Sequence, residues 1–280
     1  MDLKRVVEGP VVAVLFLIFF VCAIFGVRGA FDKLALSPTS NEFSASVSGV
    51  VSEGGEIFNG VNAESAISIE SNLSDVNKII FEKASDKQLP IASLTKLMTA
   101  IVVLDNYNLS DTAVADGHVL SVENFLYIML VGSSNKAAYT LSELVGSQKF
   151  VELMNKKAKD LGMENTFFAD PTGLSPQNVS TANDLARLAI HILKDYPKIA
   201  EMSRVKELYV PRFGNVVNTD ELLDEIPNVI CSKTGFTEQA QGCLLLVVSN
   251  PKNSNYLINV ILGADDRFSE MQKLINQTCQ

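Results

Sequence analysis

Apolar and polar positions along the chain change rhythm in blocks, and each block predicts an element. Residues 11–27 are apolar without a single charge, which reaches the lower limit of length for a membrane-crossing helix. From Arg28 to Asn62 the chain turns to Ser, Gly and other small residues with neither a helical nor a strand period, the composition of a flexible tether. Alternation at period two over Ala66–Glu70, followed after a polar turn by Val76-Asn-Lys-Ile-Ile-Phe81, predicts a β-hairpin, so the folded part starts near Ala63. Residues 97–104 are apolar almost all round, the pattern of a helix buried at the centre of a domain.

Helical stripes follow over Ser121–Leu130, Lys136–Val145 and Ser147–Leu161, with Gly132-Ser-Ser-Asn135 as the loop between the first two and a lysine-rich solvated face on the third. Thr181 and Asp184 have the spacing of a capping box ahead of the stripe Leu185, Leu188, Ala189 and Ile192. The strand pattern returns at Asn228–Lys233, at Gly242–Ser249 and at Tyr256–Leu262, before a closing helix over Asp265–Thr278. Gly242–Ser249 is apolar throughout, which predicts a central strand covered on both faces. Strands from both ends of the domain with helices between them give an α/β (α+β) fold: an antiparallel sheet flanked by helices, with an inserted all-helical lobe at about residues 106–205 and a site where the two meet. The expected organisation is 1–27 anchor, 28–62 tether and 63–280 globular domain.

Composition narrows the class of function. Of 280 residues 47% are hydrophobic and 20% charged, enough for a sizeable core, and the net charge of −9 argues against nucleic acid as a partner, because phosphate binding needs a basic surface. Lys4 and Arg5 precede the apolar run, placing the N-terminus in the cytoplasm and the rest outside. No small-x-small cleavage site follows, since Val27-Arg-Gly-Ala30 carries an arginine, so the run reads as an uncleaved anchor rather than a cleaved signal. His118 and His191 have no metal-ligand spacing; each reads as structural, His191 on a helix and His118 in a loop, and no metal or cofactor is expected. Cys231 and Cys243 flank a turn between two neighbouring strands. They read as small buried thiols, with a bridge as the alternative in an oxidising compartment.

The candidate chemistry lies in Pro90-Ile-Ala-Ser-Leu-Thr-Lys96, where a loop runs into the apolar helix. Residues three apart on a helix are neighbours, so the Ser93 hydroxyl and the Lys96 amine can meet. An amine works as a base only when neutral, and burial together with the positive end of the helix dipole favours that form. Ser-x-x-Lys alone proves little: about one match is expected by chance, and the chain holds Ser93/Lys96, Ser133/Lys136, Ser203/Lys206 and Ser249/Lys252. Ser133-Ser-Asn135 and Lys233-Thr-Gly235 supply context. The order Ser-x-x-Lys, Ser-x-Asn, Lys-Thr-Gly is the signature of serine acyltransferases that react with penicillin.

With those motifs, and with Leu161-Gly-Met-Glu-Asn-Thr-Phe-Phe, Thr172-Gly-Leu174, Leu262-Gly-Ala and Arg267-Phe268, the chain resembles the D-alanyl-D-alanine carboxypeptidases, the low-molecular-mass penicillin-binding proteins, over about residues 61–278. The resemblance implies a β-lactamase/transpeptidase-like fold and an acyl-enzyme on Ser93, formed from peptidoglycan stem peptides with release of the terminal D-alanine. It makes Lys96 the base, Ser133 a relay to the leaving amine and Asn135 a holder of Lys96 and of the substrate backbone. Lys233 and Thr234 would bind the terminal carboxylate, with Arg267 near it or else in a surface salt bridge. Gly235 would let the strand come close, and the backbone amides of Ser93 and Phe236 would form the oxyanion hole. It implies β-lactams as covalent inhibitors, no cofactor, and a bacterial membrane protein whose domain works on the outer face.

This chain also departs from the family pattern. The stretch between the central helix and Ser121 is short, so a loop that often roofs the cleft is expected to be missing. Lys136 stands where an acid commonly follows the Ser-x-Asn asparagine, and the N-terminal span would do the work of a C-terminal anchor helix. A D,D-endopeptidase acting on cross-links shares the same chemistry. A β-lactamase would need a Glu-x-x-Leu-Asn segment between Ser133 and Lys233, which is not there. A non-catalytic wall-binding protein would not need the full motif set.

Overall fold

The computed structural model describes residues 60–278 apart from 74–76, 116 and 251. The anchor expected at 11–27, nearly all of the tether, Cys22 and Cys279 lie outside the described residues; within them, no helix is long and apolar enough to cross a membrane. Five strands form one sheet: β1 (Ala63–Ser71), β2 (Asn77–Lys83), β9 (Val229–Thr237), β10 (Gln241–Ser249) and β11 (Tyr256–Ala264), in the order β2-β1-β11-β10-β9. All four pairings are antiparallel. Side chains alternate across a sheet, and here both faces are covered. Cys243, Leu245, Val247, Ile258 and Val260 join the larger core, whereas Leu244, Leu246, Val248, Leu257 and Ile261 join a second core with Met271, Leu274 and Ile275 of the closing helix α7 (Arg267–Thr278). Two-sided burial is why β10 carries no polar alternation, although the middle of the sheet is β11.

Against the larger core face lie α1 (Thr95–Asn106), α2 (Val122–Leu130), α3 (Asn135–Glu143), α4 (Ser147–Asp160), α5 (Ala182–Asp195) and α6 (Pro197–Ser203). Helix α1 is buried without interruption from Thr95 to Val103, as its all-round apolar sequence requires. The inserted lobe is not all helical. It holds a hairpin of β4 (Thr112–Ala115) and β5 (His118–Ser121), so His118 heads a strand rather than lying in a loop. The two-residue β6 (Val179–Ser180) pairs with β3 (Leu89–Pro90), and a further hairpin, β7 (Glu207–Val210) with β8 (Gly214–Val217), follows α6. The capping box of α5 is half made: the Thr181 hydroxyl accepts from the Asp184 amide, but the Asp184 carboxylate turns to the amide of Asn165 and the hydroxyl of Thr166. Cys231 and Cys243 are free and buried. Register keeps them apart, with Cys231 opposite Val247 and Cys243 opposite Gly235. Burial pushes their thiols up to about 11 and about 12.

Candidate active site

A 3-10 turn over Ala92–Leu94 leads into α1 and carries Ser93 at its centre. Ala92, just before it, has φ +45°, a left-handed conformation that a non-glycine residue holds only when its surroundings impose it. They do. Gly235 on β9 approaches so closely that a Cβ there would stand 3.0 Å from the Ser93 amide, and a Cβ on Gly173 would fall inside the Ala92 carbonyl group. Two glycines thus let two further backbone segments pack directly on the nucleophile turn.

Lys96 is fully buried. Its Nζ lies 2.8 Å from Ser93 Oγ, 2.8 Å from Asn135 Oδ1 and 2.7 Å from the Thr172 carbonyl oxygen. Two of these partners can only accept. A neutral amine has two N–H groups for them and one lone pair left over, which then faces the Ser93 hydroxyl proton. Burial lowers the Lys96 pKa from 10.5 to about 7, against the opposing pull of the Asp170 carboxylate. The geometry and the electrostatics therefore agree on a neutral base pointed at a serine.

Ser133 stands across the cleft, with φ +53°. Its hydroxyl accepts from Lys233 Nζ at 3.0 Å, and the same amine donates to the Thr234 carbonyl at 3.1 Å. Lys233 is buried as well. Burial, the nearby Lys96 and Arg267 all press its pKa well below the ordinary lysine range, with Asp220 opposing. The Thr234 hydroxyl lies 2.5 Å from that of Thr219. Arg267 opens α7, stacks on the Phe268 ring at 4.4 Å and has a buried Nε with no partner; among the described residues it makes no salt bridge, so that expectation is set aside. Phe236, next to Gly235, leaves its ring half exposed. The other Ser-x-x-Lys matches come apart: Lys136 is exposed on α3 while Ser133 turns to Lys233, and Ser203 bonds to the Ala200 carbonyl while Lys206 pairs with Asp224. Ser249 ends β10 with Lys252 in the turn beyond.

Sequence reasoning named Thr172-Gly-Leu174 within the resemblance but gave that loop no role at the site. Asp170 accepts from the amides of Thr172, Gly173 and Ser175 and from the Thr172 hydroxyl, at 2.6–2.8 Å. These bonds fold the loop so that the Thr172 carbonyl meets Lys96 and Gly173 meets Ala92. Asn178 braces it from below, accepting from Ala169 and Asp170 and donating to the Asp170 carbonyl and Thr95. Asp-Pro-Thr-Gly at 170–173 is a turn signal that could have flagged the loop. A second missed group is Asp220, buried behind the strand, where it accepts from the Ser232 hydroxyl and the Leu222 amide.

The family model described as D-alanyl-D-alanine carboxypeptidase matches residues 53–266. A D-alanyl-D-alanine endopeptidase of Escherichia coli is 36% identical over 227 residues, 71% of this chain and 73% of its own. A D-alanyl-D-alanine carboxypeptidase of Bacillus subtilis is 30% identical over 244 residues, 76% of this chain and 61% of its own. Among solved structures, penicillin-binding protein D2 from Listeria monocytogenes in its ampicillin-bound form superposes with a TM-score of 0.70 at 27% identity, covering 78% of this chain and 98% of that one. The chain belongs to the D-alanyl-D-alanine carboxypeptidase family, serine peptidases of the penicillin-binding class.

Proposed function

We propose that this protein is a serine D,D-carboxypeptidase that removes the terminal D-alanine from peptidoglycan stem peptides. The observation that carries the reading is Lys96 Nζ at 2.8 Å from Ser93 Oγ, with a pKa lowered to about 7. Lys96 takes the Ser93 proton as Oγ adds to the carbonyl carbon of the penultimate D-alanine. The resulting oxyanion sits against the amides of Ser93 and Phe236, contacts whose loss elsewhere costs about 10²–10³ in rate. The C–N bond then breaks, and the proton passes from Lys96 through Ser133 to the leaving amine. Water repeats the sequence on the ester and frees Ser93. Asn135 holds Lys96 and the substrate backbone. Lys233, Thr234 and Arg267 receive the terminal carboxylate; an anion arriving beside Lys233 and Arg267 offsets the repulsion between those two and favours the charged form of Lys233.

A fluorescent penicillin is expected to label the chain on a peptide containing Ser93, with Ser93→Ala abolishing the label, and a stem pentapeptide is expected to lose one alanine by mass. Label recovered on Ser133 would reverse the assigned roles. On the sequence pattern of residues 4–27, the same reading puts the domain on the outer face of a bacterial membrane. External protease on intact cells then releases a fragment starting within residues 28–62, whereas a soluble chain beginning near Ala30 would show a cleaved signal.

A further inference from the structure

Strand β9 carries Lys233, Thr234 and Gly235, and among the described residues it has a strand neighbour, β10, on one side only. An edge strand presents a row of backbone groups that no ladder holds. Here the segment Asn218-Thr219-Asp220, just after β8, grips it instead. Side chains alternate along a strand, so Ser232 and Thr234 leave one face of β9 and Lys233 the other. The Ser232 hydroxyl donates to Asp220, and the Thr234 hydroxyl lies 2.5 Å from that of Thr219. The Ser232 amide donates to Ser203 Oγ at 3.2 Å. The gripping segment is itself tied down: Asn218 Nδ2 donates to the carbonyls of Ser203 and Val205, at and just beyond the end of α6, and the Thr219 amide donates to the Val131 carbonyl. Val131 immediately precedes the loop Gly132–Asn135. One three-residue segment therefore links the strand of Lys233 and Thr234 to the loop of Ser133 and Asn135.

Asp220 is 4% exposed, and each of its oxygens accepts: Oδ2 from the Ser232 hydroxyl, Oδ1 from the Leu222 amide at 3.0 Å. An asparagine could hold the same place, accepting from Leu222 and donating to the Ser232 oxygen. What the carboxylate adds is charge, which is costly to bury without charges of opposite sign nearby. Burial raises the Asp220 pKa, while the bonds from Ser232 and Leu222 and the charges of Lys233 and Arg267 oppose the rise. The effect runs in both directions. Burial first, then Lys96 on α1 and Arg267 on α7, disfavour the ammonium form of Lys233; of the charged groups acting on it, Asp220 alone favours that form. We infer that Asp220 is a positioning residue for substrate selection: it holds the free side of β9 in register and opposes the cations around Lys233, so that the strand presents an ammonium and a hydroxyl together to the terminal carboxylate. The inference rests on the serine peptidase reading above, in which Lys233 and Thr234 receive that carboxylate. It makes the preference for a free carboxylate over an amide depend on a side chain that touches neither Lys233 nor the substrate.

The test uses the full-length chain in detergent with Asp220→Asn, and with Asp220→Glu and Asp220→Gln as a second pair, matched in size and differing in charge. Acylation of Ser93 by a peptide ending in D-alanyl-D-alanine with a free carboxylate is compared with acylation by its amide, from about pH 6 to about pH 10, a window reaching well below the ordinary lysine range. Asp220→Asn is expected to lower kcat/KM for the free-carboxylate peptide by about three-fold or more beyond its effect on the amide, within the coupling range of groups in one network. The loss should appear in KM rather than kcat. The preference for the free carboxylate should also fade at a lower pH than in the parent, because the charged groups then left around Lys233 all disfavour its ammonium form. Asp220→Glu is expected to keep the preference and Asp220→Gln to lose it, so the comparison stands even if the asparagine variant does not fold. Equal losses on both peptides with an unmoved pH midpoint would make Asp220 a structural brace and overturn the inference, as would equal preference in the Glu and Gln variants. A parent chain that penicillin does not acylate would instead overturn the serine peptidase reading, a distinguishable result.

Discussion

Lys96 is an amine held where water cannot solvate its charge, so its ionisation should set the pH dependence of the chemistry. The base form is the neutral one, and its pKa is lowered to about 7 by burial. Acylation by penicillin is therefore expected to rise with pH through a single ionisation near 7 and to level off above it, in stopped-flow measurements. Asp170 favours the charged form of Lys96, so Asp170→Asn, which keeps the acceptor for the Thr172 and Gly173 amides and gives up only the one for Ser175, should move that midpoint down. An unmoved midpoint would reduce Asp170 to a loop brace. Lys233 has the other role. Lys233→Ala should weaken acylation by peptides ending in a free carboxylate about ten- to hundred-fold more than by their amidated forms, the equivalent of a charged hydrogen bond of roughly 1.5–3 kcal/mol. Equal losses on both peptides would place Lys233 in the chemistry instead.

Elements earn their positions here through close backbone approach as much as through side-chain burial. Gly173 has φ +88° and sits against the Ala92 carbonyl, whereas Gly117 has φ +75° with nothing nearby. Gly117→Ala should cost only the left-handed strain, about 1–2 kcal/mol, and leave penicillin acylation unchanged. Gly173→Ala adds a clash with the nucleophile turn and should lower both melting temperature and acylation rate; equal behaviour of the two variants would show that the clamp on Ala92 is loose. Much of the framework was legible in the sequence. Buried α1 and two-faced β10 follow from continuous apolar runs, and the Thr181 cap from its spacing. Ser93, Lys96, Ser133, Asn135 and Lys233 come together as their motifs required. The Asp170 loop was not legible, because its order comes from one carboxylate bonding to backbone amides, which leaves no hydrophobic period. The β7–β8 hairpin was hidden for a related reason: its strands have four residues each, and most of those are partly or fully exposed. The Asp116-Gly117 dipeptide does carry a hairpin signal, and it would have put His118 on a strand.

At the scale of the whole domain, the sheet has a hydrophobic core on each face, and the motifs meet where β9 reaches the turn before α1. This placement buries two lysines among apolar neighbours, and the cost must appear in stability. For Lys96 the folded pKa of about 7 lies below the ordinary 10.5. Between those values the unfolded chain binds a proton that the folded chain does not, so stability is lost as pH falls from 10.5 and the loss ends near 7, where both states are protonated. A lowering from 10.5 to about 7 corresponds to roughly 5 kcal/mol over that window, and Lys233, lowered for the same reason, acts in the same direction. The melting temperature followed by circular dichroism should therefore rise between pH 7 and 9. Lys96→Met removes one of the two groups and should flatten that rise, whatever it does to absolute stability through the acceptors it strands at Asn135 and Thr172. A Lys96→Met chain whose melting temperature rises with pH as steeply as the parent's would mean that Lys96 is charged in the folded protein, and the neutral-base mechanism would fall with it.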